Sequence, residues 1–133
     1  MIGRDDELTS VLQALERGRL VTVRGAPGVG KTTLARAVTK RLAPRAFGAV
    51  LDHATSRRLV LERIATAAGL KLRSRDVRVT FSRLAEHLEA RSSVVVLDGV
   101  DAVAEVTASV LSDLLDATER CRFLVCAFGP LGL

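Results

Sequence analysis

Residues 19 to 44 read RLVTVRGAPGVGKTTLARAVTKRLAP, and the fold follows from how they divide. Leu20 to Arg24 is an apolar, β-branched run closed by Gly25, which suits a buried strand better than a helix. Leu34, Ala35, Val38 and Leu42 recur at the spacing of one helical face, and Pro44 ends that helix. Between the two lies GAPGVGKT, Gly25 to Thr32, which fills every fixed position of G-x-x-x-x-G-K-[ST]. Gly25, Gly28 and Gly30 allow backbone conformations closed to other residues, and they let the chain approach oxygen atoms with no Cβ in the way. The N–H groups of residues 28 to 33, those of Val29 and Thr33 included, can then converge on phosphates at the positive end of the helix. Lys31 supplies a mobile charge for the β and γ phosphates, and the Thr32 hydroxyl is the expected magnesium ligand. A glycine-rich turn matching by chance would not need a strand before it and a helix after it. Nucleotide binding is the expectation.

Working outward, RDDELTSVLQALERG places Leu8, Val11, Leu12 and Leu15 on one helical face ahead of the first strand. A second strand is expected from Phe47 to His53 and a helix over RRLVLERIATAAG, closing on Gly69. Ser74 or Asp76 can cap the next helix, with Phe81, Leu84, Ala85 and Leu88 on its face. Ser92 to Gly99, SSVVVLDG, is a continuous apolar run of the kind covered by helices on both sheet faces. A helix presenting Val103, Val106, Val110, Leu111 and Leu114 follows, and then a fourth strand from Phe123 to Phe128. Strands and helices alternate throughout, so the expected class is α/β: a parallel sheet of about four strands with right-handed helical crossovers, in one domain spanning residues 1 to 133.

The third strand ends in a second constellation, VVVLDGVDAV. Asp98 stands at the carboxyl end of a parallel strand and so faces the same crevice as the glycine-rich loop, where it can hold magnesium or a water on it. Asp101 could polarise an attacking water as a general base. The competing reading makes Asp98 a helix cap and Asp101 a surface acid in the first helical turn. His53 and His87 lie apart, on a strand end and a helix surface, and are expected to be solvated. Cys121 and Cys126 are expected to point to opposite faces of a strand as small core residues, which excludes a metal pair.

Composition narrows the function further. Apolar residues make up 48% of the 133 and charged residues 26%, a globular balance that argues against disorder. No apolar stretch approaches the roughly 18 residues needed to span a bilayer, and Met1 is followed by IGRDDELTS instead of a basic and apolar leader. A cytoplasmic protein is expected. The net charge of +5 is spread among acids as on solvated helix faces, and only Lys71 to Arg78 is locally dense. With no Tyr or Trp there is no aromatic platform for single strands, so direct nucleic-acid binding is not expected. The excess of arginine over lysine suggests a GC-rich bacterial genome.

IGRDDEL, LVTVRGAPGVGKTTLA and VVVLDGVD together resemble the STAND class of P-loop NTPases, most of all the ATP-binding domain of large bacterial LuxR-type and SARP-type transcriptional regulators, and more distantly the NB-ARC switches. The resemblance implies a strand order of first, fourth, third, second. It also implies adenine contacts from Ile2 and Arg4, a hold on the α phosphate by Thr33, a magnesium-linked acid at Asp98 and a water-activating acid at Asp101. In that family the fourth strand ends in a Thr-Ser-Arg sensor, whereas Cys126, Ala127 and Phe128 stand here ahead of Pro130, Leu131 and Gly132. A phenylalanine cannot donate a hydrogen bond to a γ phosphate. The family's fifth strand and helical lid have no counterpart in these residues, which would leave Leu20 to Arg24 as an apolar sheet edge.

The expected function is therefore an ATP- or ADP-magnesium domain of a regulatory switch, with hydrolysis slow at best through Lys31, Thr32, Asp98 and Asp101. The alternative is a non-catalytic module that pairs its edge strand with another protein or a second copy. A phosphate-transferring kinase is disfavoured, since nothing resembles an acceptor lid or an arginine clamp.

Overall fold

A computed structural model describes residues 2–24, 31–100 and 103–127. In chain order the elements are α1 (Ile2–Arg17), β1 (Leu20–Arg24), α2 (Lys31–Leu42), β2 (Ala46–Val50), α3 (Arg57–Ala67), α4 (Val77–Ala90), β3 (Val94–Asp98), α5 (Ala104–Ala117) and β4 (Arg122–Ala127). The strands form one sheet in the order β1-β4-β3-β2, every pair parallel. This is the α/β architecture and strand order expected from the sequence. Among the described residues no helix is long and apolar enough to cross a membrane.

Alternation along the central strands divides the interior into two cores. Val94 and Val96 of β3, with Leu124 and Cys126 of β4, face α1 and α2, where they meet Val11, Leu15, Leu34 and Val38. Val95 and Leu97, with Phe123 and Val125, face the other way, onto Val60, Ile64, Leu84 and Leu111 of α3, α4 and α5. Every one of these strand residues is at most 2% exposed. That is why SSVVVLDG reads as an unbroken apolar run: both of its faces are covered. Cys121 and Cys126 are both buried and belong to different cores, so the fold holds them on opposite sides of the sheet, as expected.

Several boundaries differ from the sequence reading. Helix α1 begins at Ile2, so Ile2, Gly3 and Arg4 belong to its first turn and do not precede it. Strand β2 starts at Ala46 and stops at Val50, not His53. Leu51 still donates its N–H to the Asp98 carbonyl at 2.8 Å, but the chain then turns, with the Ala54 N–H on the Leu51 carbonyl at 2.9 Å. His53 sits in that turn at φ 65°, not on a strand end. Strand β3 is shorter than Ser92 to Gly99, because Ser92 and Gly99 both adopt positive φ, 47° and 71°. On the helices, Thr80 and Thr107 are buried where Phe81 and Val106 were expected; both stand at i, i+3 or i+4 from Leu84 or from Val103, Val110 and Leu111. His87 is half-buried and not solvated. Arg91 Nη1 donates to its Nδ1 at 3.1 Å, so the Nε2–H tautomer donates to the Ala68 carbonyl at 3.2 Å and ties α4 to the end of α3. Asp76 is the N-cap of α4, its carboxylate accepting from the Arg78 N–H at 2.9 Å, while Ser74 Oγ accepts from Asp76 N.

The amino edge of the sheet is held by side chains on backbone carbonyls. Arg19 donates to the carbonyls of Cys121 and Leu115 at 3.0 and 3.1 Å, the second an acceptor that the last turn of α5 leaves open. Arg122 does the same for α1 through the carbonyls of Leu15 and Gly18. Glu89 on α4 accepts the N–H groups of Glu119 and Arg120 at 3.0 and 2.8 Å, and these bonds, with that of Arg120 foremost, hold its carboxyl below the ordinary value of 4.5.

Two outcomes follow. Leu111→Ala empties a fully buried site between α5 and the sheet and is expected to cost about 2–5 kcal/mol, read as a lower midpoint in urea unfolding. Because the Glu89 pKa is lowered on folding, its contribution is present above 4.5 and is lost as pH falls through the folded value. Glu89→Gln, whose amide oxygen still accepts, should give a shallower fall in stability across that acidic range than the wild type.

Candidate functional site

In a parallel sheet all carboxyl ends lie on one edge, so the loops that leave them share a crevice. Register places the residues on that edge. Val50 pairs with Asp98 across β2 and β3, and Leu97 pairs with Val125, which sets Asp98 level with Cys126. Cys126 in turn pairs with Val23 of β1. Asp98 therefore stands at the height where β1 is about to leave the sheet, two strand spacings away, or roughly 10 Å. Helix α2 begins at Lys31 on this same edge, and over twelve residues it is long enough for its positive end to matter.

Of the residues singled out from the sequence, Asp98 is the one whose side chain the structure details. It is half-buried at the last position of β3, and its Oδ1 accepts the Gly99 N–H at 2.9 Å. This is an intraturn bond and not a helix cap; α5 starts only at Ala104, with Val103 in the capping position. Lys31 and Thr32 are the first two residues of α2, and Thr33, the third, is exposed. Ile2 and Arg4 lie in the first turn of α1, at the far end of the helix from its junction with β1. Gly25, Gly28, Val29, Gly30, Asp101 and Phe128 lie outside the described residues. At the fourth strand, Cys126 is fully buried and packs with side chains of α1 and α2. Burial pushes the Cys121 thiol up to about 12, which keeps it protonated and unreactive at neutral pH.

One residue at this edge was not visible in the sequence. Gly99 sits at φ 71°, and a Cβ built there would come within 2.9 Å of Asp52 Cγ and closer still to Asp52 Oδ1. The turn after β2 is thus stacked against the residue that follows Asp98. Arg63 of α3 fixes it there, Nη1 donating to the carbonyls of Val50 and Asp52, each at 3.0 Å. The signal in the sequence was faint: an aspartate just past an apolar strand, in a run read as strand to His53.

Asp98 also lines a groove of about 410 Å³ between α2 and the outer strand β2. Its floor is Gly48, Val50 and Val96, and its helix wall carries Arg36 and Lys40. The crevice thus offers hard oxygen donors on a strand end, a helix N-terminus, and cations along one wall. Such a donor set fits a magnesium ion that keeps several waters and takes one or two carboxylates. Among the described residues, no cluster of three or more His, Cys, Asp or Glu forms an all-protein metal cage.

A family model described as an AAA domain matches residues 14–133, which takes in all four strands and both constellations. No curated protein matches the chain. The position of Gly99 gives a direct test of the packing at this edge. Gly99→Ala must hold an L-residue at positive φ, which costs about 1–2 kcal/mol from the backbone alone, and must also displace Asp52. A thermal or urea melt should show a loss larger than that backbone figure.

Proposed function

The chain belongs to the AAA domain family, a nucleotide-binding P-loop NTPase domain, and on that premise we propose that it binds ATP and ADP with magnesium as the nucleotide domain of a STAND-type regulatory switch. The proposal takes residues 1 to 133 as one nucleotide-binding domain, acting in the cytoplasm in transcriptional or signalling control. The observation that carries it is the alignment of Asp98 with the departure of β1 and the start of α2 at Lys31 on one sheet edge.

In this reading, the N–H groups of Gly28, Val29, Gly30 and the first residues of α2 hold the phosphates, and Gly25 permits the turn into the loop. Lys31 neutralises the β and γ phosphates, Thr32 binds magnesium directly, and Thr33 supports the α phosphate. Asp98 takes the metal or one of its waters, with one oxygen kept in place by the Gly99 N–H. Ile2 and Arg4 contact the adenine. Magnesium, when bound, would neutralise charge on the β and γ phosphates. Asp101 orients a water for slow hydrolysis. Cys126, Ala127 and Phe128, standing where the resembled family has a Thr-Ser-Arg sensor, support slowness, since phosphoryl transfer depends on charge stabilisation at the γ phosphate.

A second reading has its own observation. Strand β1 is an outer strand of the described sheet, with Val21 and Val23 only half-buried. An interaction module would use Leu20 to Arg24 to pair with another protein or a second copy.

The two separate on nucleotide. The purified chain is expected to release ADP on denaturation and to bind ADP with magnesium in calorimetry, and Lys31→Ala should weaken that binding at least tenfold, a loss of about 1.4 kcal/mol or more. Unchanged affinity in Lys31→Ala would sink the switch reading and leave the edge-pairing module. Phosphate release above that of Asp101→Asn would establish turnover.

A further inference from the structure

Strand β2 is an outer strand of the described sheet, and its free side opens onto the groove between it and α2. The ladder fixes which of its backbone groups face outward. Val94 N–H donates to the Arg45 carbonyl at 3.0 Å and Leu51 N–H to the Asp98 carbonyl at 2.8 Å, so the odd-numbered residues of this stretch bond to β3. The even-numbered residues turn their N–H and C=O the other way. Arg63 marks that direction by donating to the Val50 carbonyl. Among the described residues nothing is bonded to the Gly48 N–H, the Gly48 carbonyl or the Val50 N–H. Gly48 and Val50 are both exposed, and Val50, at 56%, is the most open of the large apolar side chains described. An edge of this kind is a template for one more strand.

The charge of the groove says what that strand should carry. Its α2 wall holds Arg36 and Lys40, both exposed and, among the described residues, without an ion pair. Placed at i and i+4, they are separated by about 6 Å along the helix axis, close to the roughly 6.7 Å between alternate residues of a strand. An extended segment laid along β2 would turn every second side chain toward this wall, so acids at two such positions would meet both cations. A second copy of the chain fits worse. Antiparallel pairing of two β2 strands about a two-fold axis normal to the sheet puts both α2 helices on one face, with Arg36 and Lys40 of one copy turned toward those of the other, and like charges so placed repel. We infer that this groove docks an extended acidic segment of another protein, which adds to β2 as a further strand and sets carboxylates at alternate positions against Arg36 and Lys40. Asp98, level with Val50, disfavours an acid at the carboxyl end of the groove and so helps to fix the register. The inference does not depend on nucleotide, and it concerns the edge of the described sheet opposite Leu20 to Arg24.

The probe is a fluorescein-labelled hexapeptide alternating glutamate and valine, titrated with the intact chain and read by anisotropy, beside a counterpart with lysine in place of glutamate. The glutamate peptide should bind about tenfold more tightly than the lysine peptide. Arg36→Glu combined with Lys40→Glu should reverse that preference, with a urea midpoint near that of the wild type because both side chains are exposed. Methylating two consecutive central nitrogens of the glutamate peptide blocks both of its strand edges and should weaken binding by about tenfold as well. Equal binding of the two peptides by the wild type overturns the inference, and so does a double variant that still prefers glutamate. Unchanged affinity after methylation would show charge attraction without a strand, which also overturns it. Should the double variant fail to fold, the peptide comparisons on the wild type decide alone. A dimer in sedimentation that the glutamate peptide dissolves would seat a second copy in the groove and overturn the acidic partner.

Discussion

The constraint on which the rest depends is the parallel pairing of β3 between β4 and β2. Parallel neighbours cannot be joined by a tight turn, so each connection must cross the sheet as a helix, and both faces become covered. From this follow the two cores, with Val94 and Val96 turned to α1 and α2, and Val95 and Leu97 turned to α3, α4 and α5. From it also follows the polarity of the sheet. All carboxyl ends meet on one edge, which is why Asp98 shares an edge with the end of β1 and the start of α2 although it is remote from both in sequence.

Both edges of the sheet use arginines to hold backbone carbonyls, and the carboxyl edge adds acids. At the amino edge, Arg19, Arg45 and Arg122 point their guanidinium groups at carbonyls of helix ends and loops. Part of the net charge of +5 is thus committed to closing the fold, and does not by itself describe a surface for an anionic partner. At the carboxyl edge Arg63 holds the carbonyls of Val50 and Asp52, Asp98 and the exposed Asp52 bring negative charge, and Arg36 and Lys40 stand along a groove wall. Both signs of charge thus stand along this edge, on different elements.

Much of this was legible in the sequence because a few residues leave little choice. Val94 to Leu97 can only be a strand covered twice, and Gly25 to Thr32 between a strand and a helix has few other uses. What was not legible depended on the neighbours of each residue. Leu51 continues an apolar run in the sequence, yet the strand ends before it, because the chain must turn to seat Ala54 and anchor on Asp98. His87 looks like a surface histidine until α3 is packed beside it, when the Ala68 carbonyl comes within reach. Thr80 and Thr107 fall on buried helix faces that a count of apolar residues assigns to Phe81 and Val106.

By itself, the sequence determined the fold class and, through the resemblance it carries, the strand order, because uninterrupted apolar strands and the helical periods between them are local properties. Only the tertiary structure decided which carboxylates share an edge. The place of Asp52 is set by the parallel register of β2 on β3, by the Arg63 bonds from α3 and by the left-handed turn at Gly99. None of these is a property of the residues around Asp52; each is a long-range contact that exists only once the sheet has closed.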